Sequence, residues 1–245
     1  MNDCYKEKLV VLTGGAGGIG TASAVYFLNG GADVLLIDVD EAKLEQAAAT
    51  LPHTDRVKIL ASDLSTPEKC GEALDVGGRP VYALVHFAGI FVPDLSNPAE
   101  NRTVYDKTIA VNQTTAYDMA FAFETRCVKD EPARLIFISS LAFRRGALDH
   151  VAYTMSKGAL TGLVRALARR FAPDILVNGL APGIILTTMP SGIIATRGDR
   201  LLAEIPLARY GEPEEVAGVV DFLSGPNATY MTGQILNVDG GIVNS

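Results

Sequence analysis

Tyr153 and Lys157 stand four residues apart, a phenol and an ammonium that a helix would place on one face. A ketone that receives a hydride needs a proton at its oxygen, and the reverse reaction needs a base. Tyrosine, with an ordinary pKa near ~10, is a poor base at neutral pH. A lysine charge beside it stabilises the phenolate, and lowering the pKa by about 3 units takes roughly 4 kcal/mol of differential stabilisation. Alone, such a pair is common on helix surfaces. Here Ile136-Phe-Ile-Ser-Ser140 reads as a buried strand ending in two serines, and Ser140 lies 13 residues before Tyr153. The end of a strand in an open parallel sheet is where ligand contacts belong.

A second chemistry-bearing stretch lies near the N-terminus. Thr13-Gly14-Gly15-Ala16-Gly17-Gly18-Ile19-Gly20 follows an apolar run and opens a helical pattern. Glycines permit a tight turn and a close backbone approach, so the helix N-terminus can hold a pyrophosphate. The string parses two ways: Gly15, Gly17 and Gly20 fit the general dinucleotide fingerprint, while Gly14, Gly18 and Gly20 fit a Thr-Gly-x-x-x-Gly-x-Gly variant. The run Asp33-Val-Leu-Leu-Ile-Asp38 ends in a carboxylate 18 residues after Gly20. That is where an acid accepts hydrogen bonds from the adenosine ribose, although a strand-end Asp also caps helices. A 2′-phosphate against Asp38 would be strongly unfavourable, and neither the glycine turn nor Val39 supplies a cation to offset it. The cofactor expected is NAD.

These residues need a frame. Short apolar runs alternate with helical patterns: Leu9–Thr13, Asp33–Asp38, Val57–Ala61, Val81–Phe87, Arg134–Ser140, Ile175–Leu180 and Gln234–Val238. Continuous apolar strands mean burial on both faces, as in a parallel sheet covered by helices. The expected fold is a doubly wound α/β domain with right-handed crossovers, spanning residues 1–245 without a linker or repeat. Glu41–Thr50 reads as one of its helices, and Pro213 suits the first position of another, supported by Glu214 and Glu215.

The bulk numbers narrow the functions. With 48% hydrophobic and 20% charged residues the chain is globular, and 21 Lys plus Arg against 28 Asp plus Glu give −7, which disfavours nucleic acid as a partner. Cys4, Cys70 and Cys127 are scattered, as are His53, His86 and His150, so no metal site is expected and the thiols suit a reducing cytoplasm. Leu9 to Ala32 is uncharged and long enough to span a bilayer, but seven glycines and four Ser, Thr or Asn residues make it too polar for that. Residues 1–8 are unlike the basic start of a signal peptide.

In ordered series these motifs make the chain resemble the short-chain dehydrogenase/reductase family, from Leu9 to about Val243. The resemblance implies a seven-stranded parallel sheet, order 3-2-1-4-5-6-7, with Tyr153 as general acid/base and Ser140 hydrogen-bonded to the reacting oxygen. Lys157 would hold the nicotinamide ribose and lower the Tyr153 pKa, and Asn112 would anchor a water in a proton relay. Cofactor contacts would come from Gly14, Gly18, Ile19 and Gly20, from Asp38, from Asp63-Leu64 at the adenine, and from Ala88-Gly89. Pro182, Gly183, Ile185 and Thr187 would meet the nicotinamide amide. It further implies a small-molecule alcohol or ketone as substrate and a homotetramer that packs the Asn112 and Tyr153 helices across an interface.

The chain departs from the family at His86-Phe87, where Asn-Asn is usual; His86 is expected to replace a lost strand-pinning hydrogen bond, with Phe87 filling space. Arg144 and Arg145 suit either an acidic substrate or a solvated loop or subunit contact. His150 is a candidate pocket residue. Gly183 to Leu207, with Ile184, Ile185, Leu186, Met189, Ile193 and Ile194, reads as a mobile lid with an apolar inner face, or else as rigid helical turns packed on the core. Two other functions stay open: an NAD-binding regulator without turnover, and an epimerase or lyase using NAD transiently. A pure binder has no need of the acid Tyr153, and stoichiometric consumption of cofactor separates the others.

Overall fold

Along β1 (Leu9–Thr13) successive side chains must point to opposite faces, and both faces are apolar. Val11 joins one core cluster, while Val10 and Leu12 join another on the opposite side of the sheet. A strand buried on both faces needs helices on both sides, and the rest of the chain supplies them. The computed structural model describes residues 3–189 and 191–243, excepting the side chains of Ile193 and Arg197.

The elements alternate: α1 (Gly18–Asn29), β2 (Asp33–Asp38), α2 (Glu41–Thr50), β3 (Val57–Ala61), α3 (Pro67–Asp75) and β4 (Val81–His86). Then follow α4 (Asn101–Ile109), α5 (Thr115–Glu124), β5 (Ala133–Ile138), α6 (Ala142–Arg145), α7 (Val151–Phe171) and β6 (Ile175–Pro182). The chain closes with α8 (Ser191–Ala203), α9 (Pro213–Ser224) and β7 (Ile235–Val238). The described strands form one sheet in the order 3-2-1-4-5-6-7, every neighbouring pair parallel. The order reverses between β1 and β4, and that switch point opens a crevice beyond the strands' C-terminal ends.

Both core layers are apolar and closely filled. One side holds Leu35, Leu84, Phe123, Phe137, Val164 and Phe171; the other holds Phe27, Leu28, Leu36, Val85, Leu180 and Val220. Each such fully buried side chain contributes roughly 1.5–3 kcal/mol of transfer free energy. This rigid sheet fixes where its strand ends point.

Helix ends follow their sequence signals. Asp40 caps α2 by accepting from the Lys43 amide, Thr66 caps α3 in the same way, and Pro213 opens α9. At Glu212 the backbone N–H donates to Glu215 Oε2 at 2.9 Å. Several strand ends differ from expectation: β4 stops at His86, β5 starts at Ala133 and stops at Ile138, and β6 runs on to Pro182. Asp63 and Leu64 lie just past β3 rather than closing it. β4 and β5 leave the ladder early at the end where their loops turn over the crevice, whereas β6 stays paired with β7 as far as Pro182.

Candidate active site

Helix α7 carries Leu160, Val164, Leu167 and Phe171 at helical spacing against the sheet. Tyr153 and Lys157 continue that buried stripe toward the N-terminal end of the helix, at the crevice. Tyr153 is 7% exposed and Lys157 5%. The four-residue spacing does put both on one face, and that face is the inner one.

The two serines that follow β5 divide the work. Ser139 donates its hydroxyl to the Lys157 carbonyl at 2.7 Å and its amide to Leu180 at 2.7 Å, which ties β5 to α7 and β6. Ser140 lines the cavity beside the Tyr153 phenol. Burial pushes the phenol up from its ordinary value, and the Ser140 contact opposes that rise. In the protein by itself burial is therefore the larger influence, and the phenol holds its proton at neutral pH. Lys157 Nζ donates to the Ile138 carbonyl at 2.8 Å, and burial pulls its pKa down to about 8. The ammonium lies 5.8 Å from the centre of the Tyr153 ring.

Asn112 occupies a single wide turn, Ala110–Thr114, inserted between α4 and α5. Such insertions in a helix often mark functional positions. Its Oδ1 accepts from the Ile90 amide at 2.7 Å, and its Nδ2 donates to the Ile90 carbonyl and to Ser156 Oγ, both at 3.0 Å. Asn112 thus pins the loop after β4 to α7 behind the tyrosine. A Cβ on Gly89 would come 3.2 Å from Lys157 Nζ and 3.3 Å from Asn112 Oδ1, so a side chain there would press on both.

The glycine turn fits a dinucleotide. Gly14 has φ +65°, and a Cβ there would meet the Ala88 nitrogen at 2.8 Å. Helix α1 begins at Gly18 with no side-chain cap and no acid in its first turn, which leaves that helix end suited to an anion. Thr187 closes over it: a Cβ on Gly18 would lie 2.9 Å from Thr187 Cγ2. Gly183, at the end of β6, packs directly on Asp239, and Ile185 bridges to Gly211. Asp38 ends β2 beside the turn, where the Gly15 amide donates to the Ile37 carbonyl at 3.1 Å. It does not cap α2; that role falls to Asp40, and Asp38 Oδ1 accepts from the Val39 amide at 2.8 Å. Asp63 is exposed and ion-paired with Lys69 at 2.9 Å, and its carboxyl is held down at about 2 by Lys69 and Ser65. Asp38 and Asp63 do not line the cavity that holds Tyr153.

A cavity of about 260 Å³ joins Gly18, Ile19 and Gly20 to Ser140, Tyr153 and Lys157. Its remaining wall is mainly apolar, with Phe87, Phe91, Leu141, Ile184, Met189 and Leu201. Phe91 escapes a reading by motif. It meets the Tyr153 ring edge-on at 4.7 Å and stacks on His150 at 3.9 Å. His150, a candidate for the pocket wall, is therefore stacked on Phe91 and paired with Asp149 at 3.0 Å, and it does not line the cavity. His86 does take over strand pinning: its Nδ1 shares a hydrogen with Thr13 Oγ1 at 2.9 Å. Of the arginine pair, Arg145 lines the cavity. Among the described residues no group of His, Cys, Asp and Glu could hold a metal, and no helix is long and apolar enough to cross a membrane.

Comparison with known proteins agrees with this geometry. The family model described as Enoyl-(Acyl carrier protein) reductase matches residues 14–243. A 2,3-dihydroxy-2,3-dihydro-p-cumate dehydrogenase of Pseudomonas putida is 34% identical, over 96% of this chain and 93% of that one. A solved short-chain dehydrogenase/reductase from Brucella melitensis superposes over 100% of both chains with a TM-score of 0.91 and 32% identity. A protein from Beutenbergia cavernae, described as an NAD(P) dependent gluconate 5-dehydrogenase with bound NADP, covers 100% of both chains at 29% identity and a TM-score of 0.89. The chain belongs to the short-chain dehydrogenase/reductase family. It is an oxidoreductase that acts on alcohol or ketone groups with a nicotinamide dinucleotide.

Proposed function

We propose that the protein is an NAD(H)-dependent dehydrogenase/reductase in which Tyr153 moves the proton at the substrate oxygen. The observation that carries this reading is the buried Tyr153 phenol, set beside Ser140 and Lys157 at the inner end of an apolar cavity. The cofactor, when bound, supplies or accepts the hydride. Ser140 donates to the same oxygen and orients it. Lys157 holds the ribose and, with its charge, favours the phenolate when an alcohol is oxidised. Asn112 keeps the Ile90 loop and Ser156 in place and anchors the water that refills Tyr153.

Asp38 at the end of β2, with exposed Val39 after it, supports NAD over NADP. Cofactor contacts are assigned to Gly14, Gly18, Ile19, Gly20, Asp63, Leu64, Ala88, Gly89, Pro182, Gly183, Ile185 and Thr187. The apolar wall supports a substrate with a sizeable nonpolar part. Residues 183–207 form the lid of a single domain: Ile184, Ile185, Met189 and Leu201 line the cavity, while Leu186 is exposed. A cytoplasmic homotetramer completes the reading, supported by an apolar groove between Tyr117 of α5 and Gly162, Leu163 and Ala166 of α7.

The test is absorbance of reduced nicotinamide across a panel of alcohols and ketones. Stoichiometric change in the cofactor with at least one substrate is expected. Binding of NADH without turnover of any would leave a regulator, and product without net cofactor change would indicate an epimerase or lyase.

A further inference from the structure

We propose that Arg145 recognises a carboxylate on the substrate and that Glu204, at the end of the lid helix, holds the guanidinium ready for it. This rests on the dehydrogenase reading above and names the substrate class of that site. Arg145 ends α6, five residues after Ser140, and the chain turns away at Gly146 with φ +76°. The short helix therefore brings the arginine back to the cavity that contains Tyr153.

Among the described residues lining that cavity, Arg145 and Lys157 carry the only charges. Lys157 is committed to the Ile138 carbonyl, deep in the crevice. Among the described lining residues, Arg145 is thus the cation that an anionic substituent can meet when the substrate oxygen sits at Tyr153. The neighbouring wall is apolar, with Leu141, Ala142 and Leu201, and a charge-assisted bond there is stronger than in water. A guanidinium has five N–H donors in one plane and matches a carboxylate with two parallel bonds.

The protein already shows the chemistry this arginine takes. Arg145 Nη1 donates to Glu204 Oε2, a carboxylate one residue past α8, 59 positions further along the chain. Both side chains are part-exposed, at 31% and 40%. Glu204 also lies 3.7 Å from Arg200 Nε, so it keeps a cation when Arg145 turns to a ligand. Because α8 and Leu201 cover the cavity, the same carboxylate couples the arginine to the lid.

The two partners make opposite predictions. Removing Arg145 abolishes the cation that holds an anionic ligand, whereas removing the Glu204 charge relieves its repulsion of that ligand. A strap that only fastens α8 would make both variants behave alike. The experiment is calorimetry on the NADH-saturated protein with cyclohexanecarboxylate and cyclohexanecarboxamide, shapes that differ in charge. Wild type is expected to prefer the acid by about tenfold or more, the scale of a hydrogen bond to a charged group. Arg145→Met removes that preference, and Glu204→Gln increases it. Equal binding of acid and amide, binding of neither, or a preference that survives Arg145→Met overturns the proposal, as does a Glu204→Gln variant that loses the preference. Turnover is read separately, on a panel of neutral alcohols and hydroxy acids. Turnover without acid preference removes this role for Arg145 and leaves the dehydrogenase reading; acid preference without turnover does the reverse.

Discussion

The Lys157 ammonium donates to the Ile138 carbonyl across 2.8 Å, and that contact joins α7 to the end of β5 inside a nearly dry crevice. One hydrogen bond does not replace the water such a charge loses, so its pKa falls from 10.5 to about 8. The site is therefore built at a cost in stability of about 3 kcal/mol at neutral pH.

The sign of the resulting pH dependence is fixed. Between about 8 and 10.5 the unfolded chain holds a proton on Lys157 that the folded protein has released, so stability rises with pH. Chemical denaturation should show Lys157→Met more stable than wild type without cofactor. Its advantage should shrink by about 1 kcal/mol between pH 7 and 9, and turnover and cofactor binding should both suffer. A constant difference across that range would mean that the ammonium is not strained.

His86 has the complementary effect on the acid side. It is buried, and burial with the nearby Lys157 charge lowers its pKa to about 3. Below pH 6.5 the unfolded chain takes up a proton that the folded protein refuses, so stability falls with pH. Wild type should lose about 2 kcal/mol between pH 6.5 and 5 from this group. Urea unfolding of His86→Asn should show a flatter limb there. An unchanged slope would place the loss elsewhere.

For cofactor choice, kcat/KM with NADH should exceed that with NADPH by well over tenfold. Asp38→Ser with Val39→Arg removes repulsion and adds a partner for the 2′-phosphate, so it should move the ratio toward NADPH by at least about tenfold. Equal use of both cofactors by wild type would contradict the role given to Asp38.

What could be read from the sequence was what local periodicity encodes. The run Asp33–Asp38 and the helix Glu41–Thr50 appear with the same ends in the structure, and Tyr153 and Lys157 share a face because helical geometry requires it. Contacts between distant segments were not readable. Phe91 lies in a loop without a motif, and only packing brings its ring to Tyr153 and places His150 behind it. Arg145 and Glu204 are paired by the path of α8 over the crevice. Ser139 and Ser140 are chemically the same. Which one faces the tyrosine depends on how the strand end sits against α7. Neither does spacing reveal that Asn112 sits in a wide turn, since no Gly or Pro marks the run Ala110–Thr114.

The central claim is that Tyr153 moves the proton. Its most direct test is the turnover of Tyr153→Phe, read by absorbance of reduced nicotinamide with whichever panel substrate wild type consumes, alongside NADH affinity. Removal of one hydroxyl should leave affinity nearly intact and lower kcat by at least about a hundredfold, the scale of general acid–base catalysis. A variant that keeps most of its kcat would contradict the account.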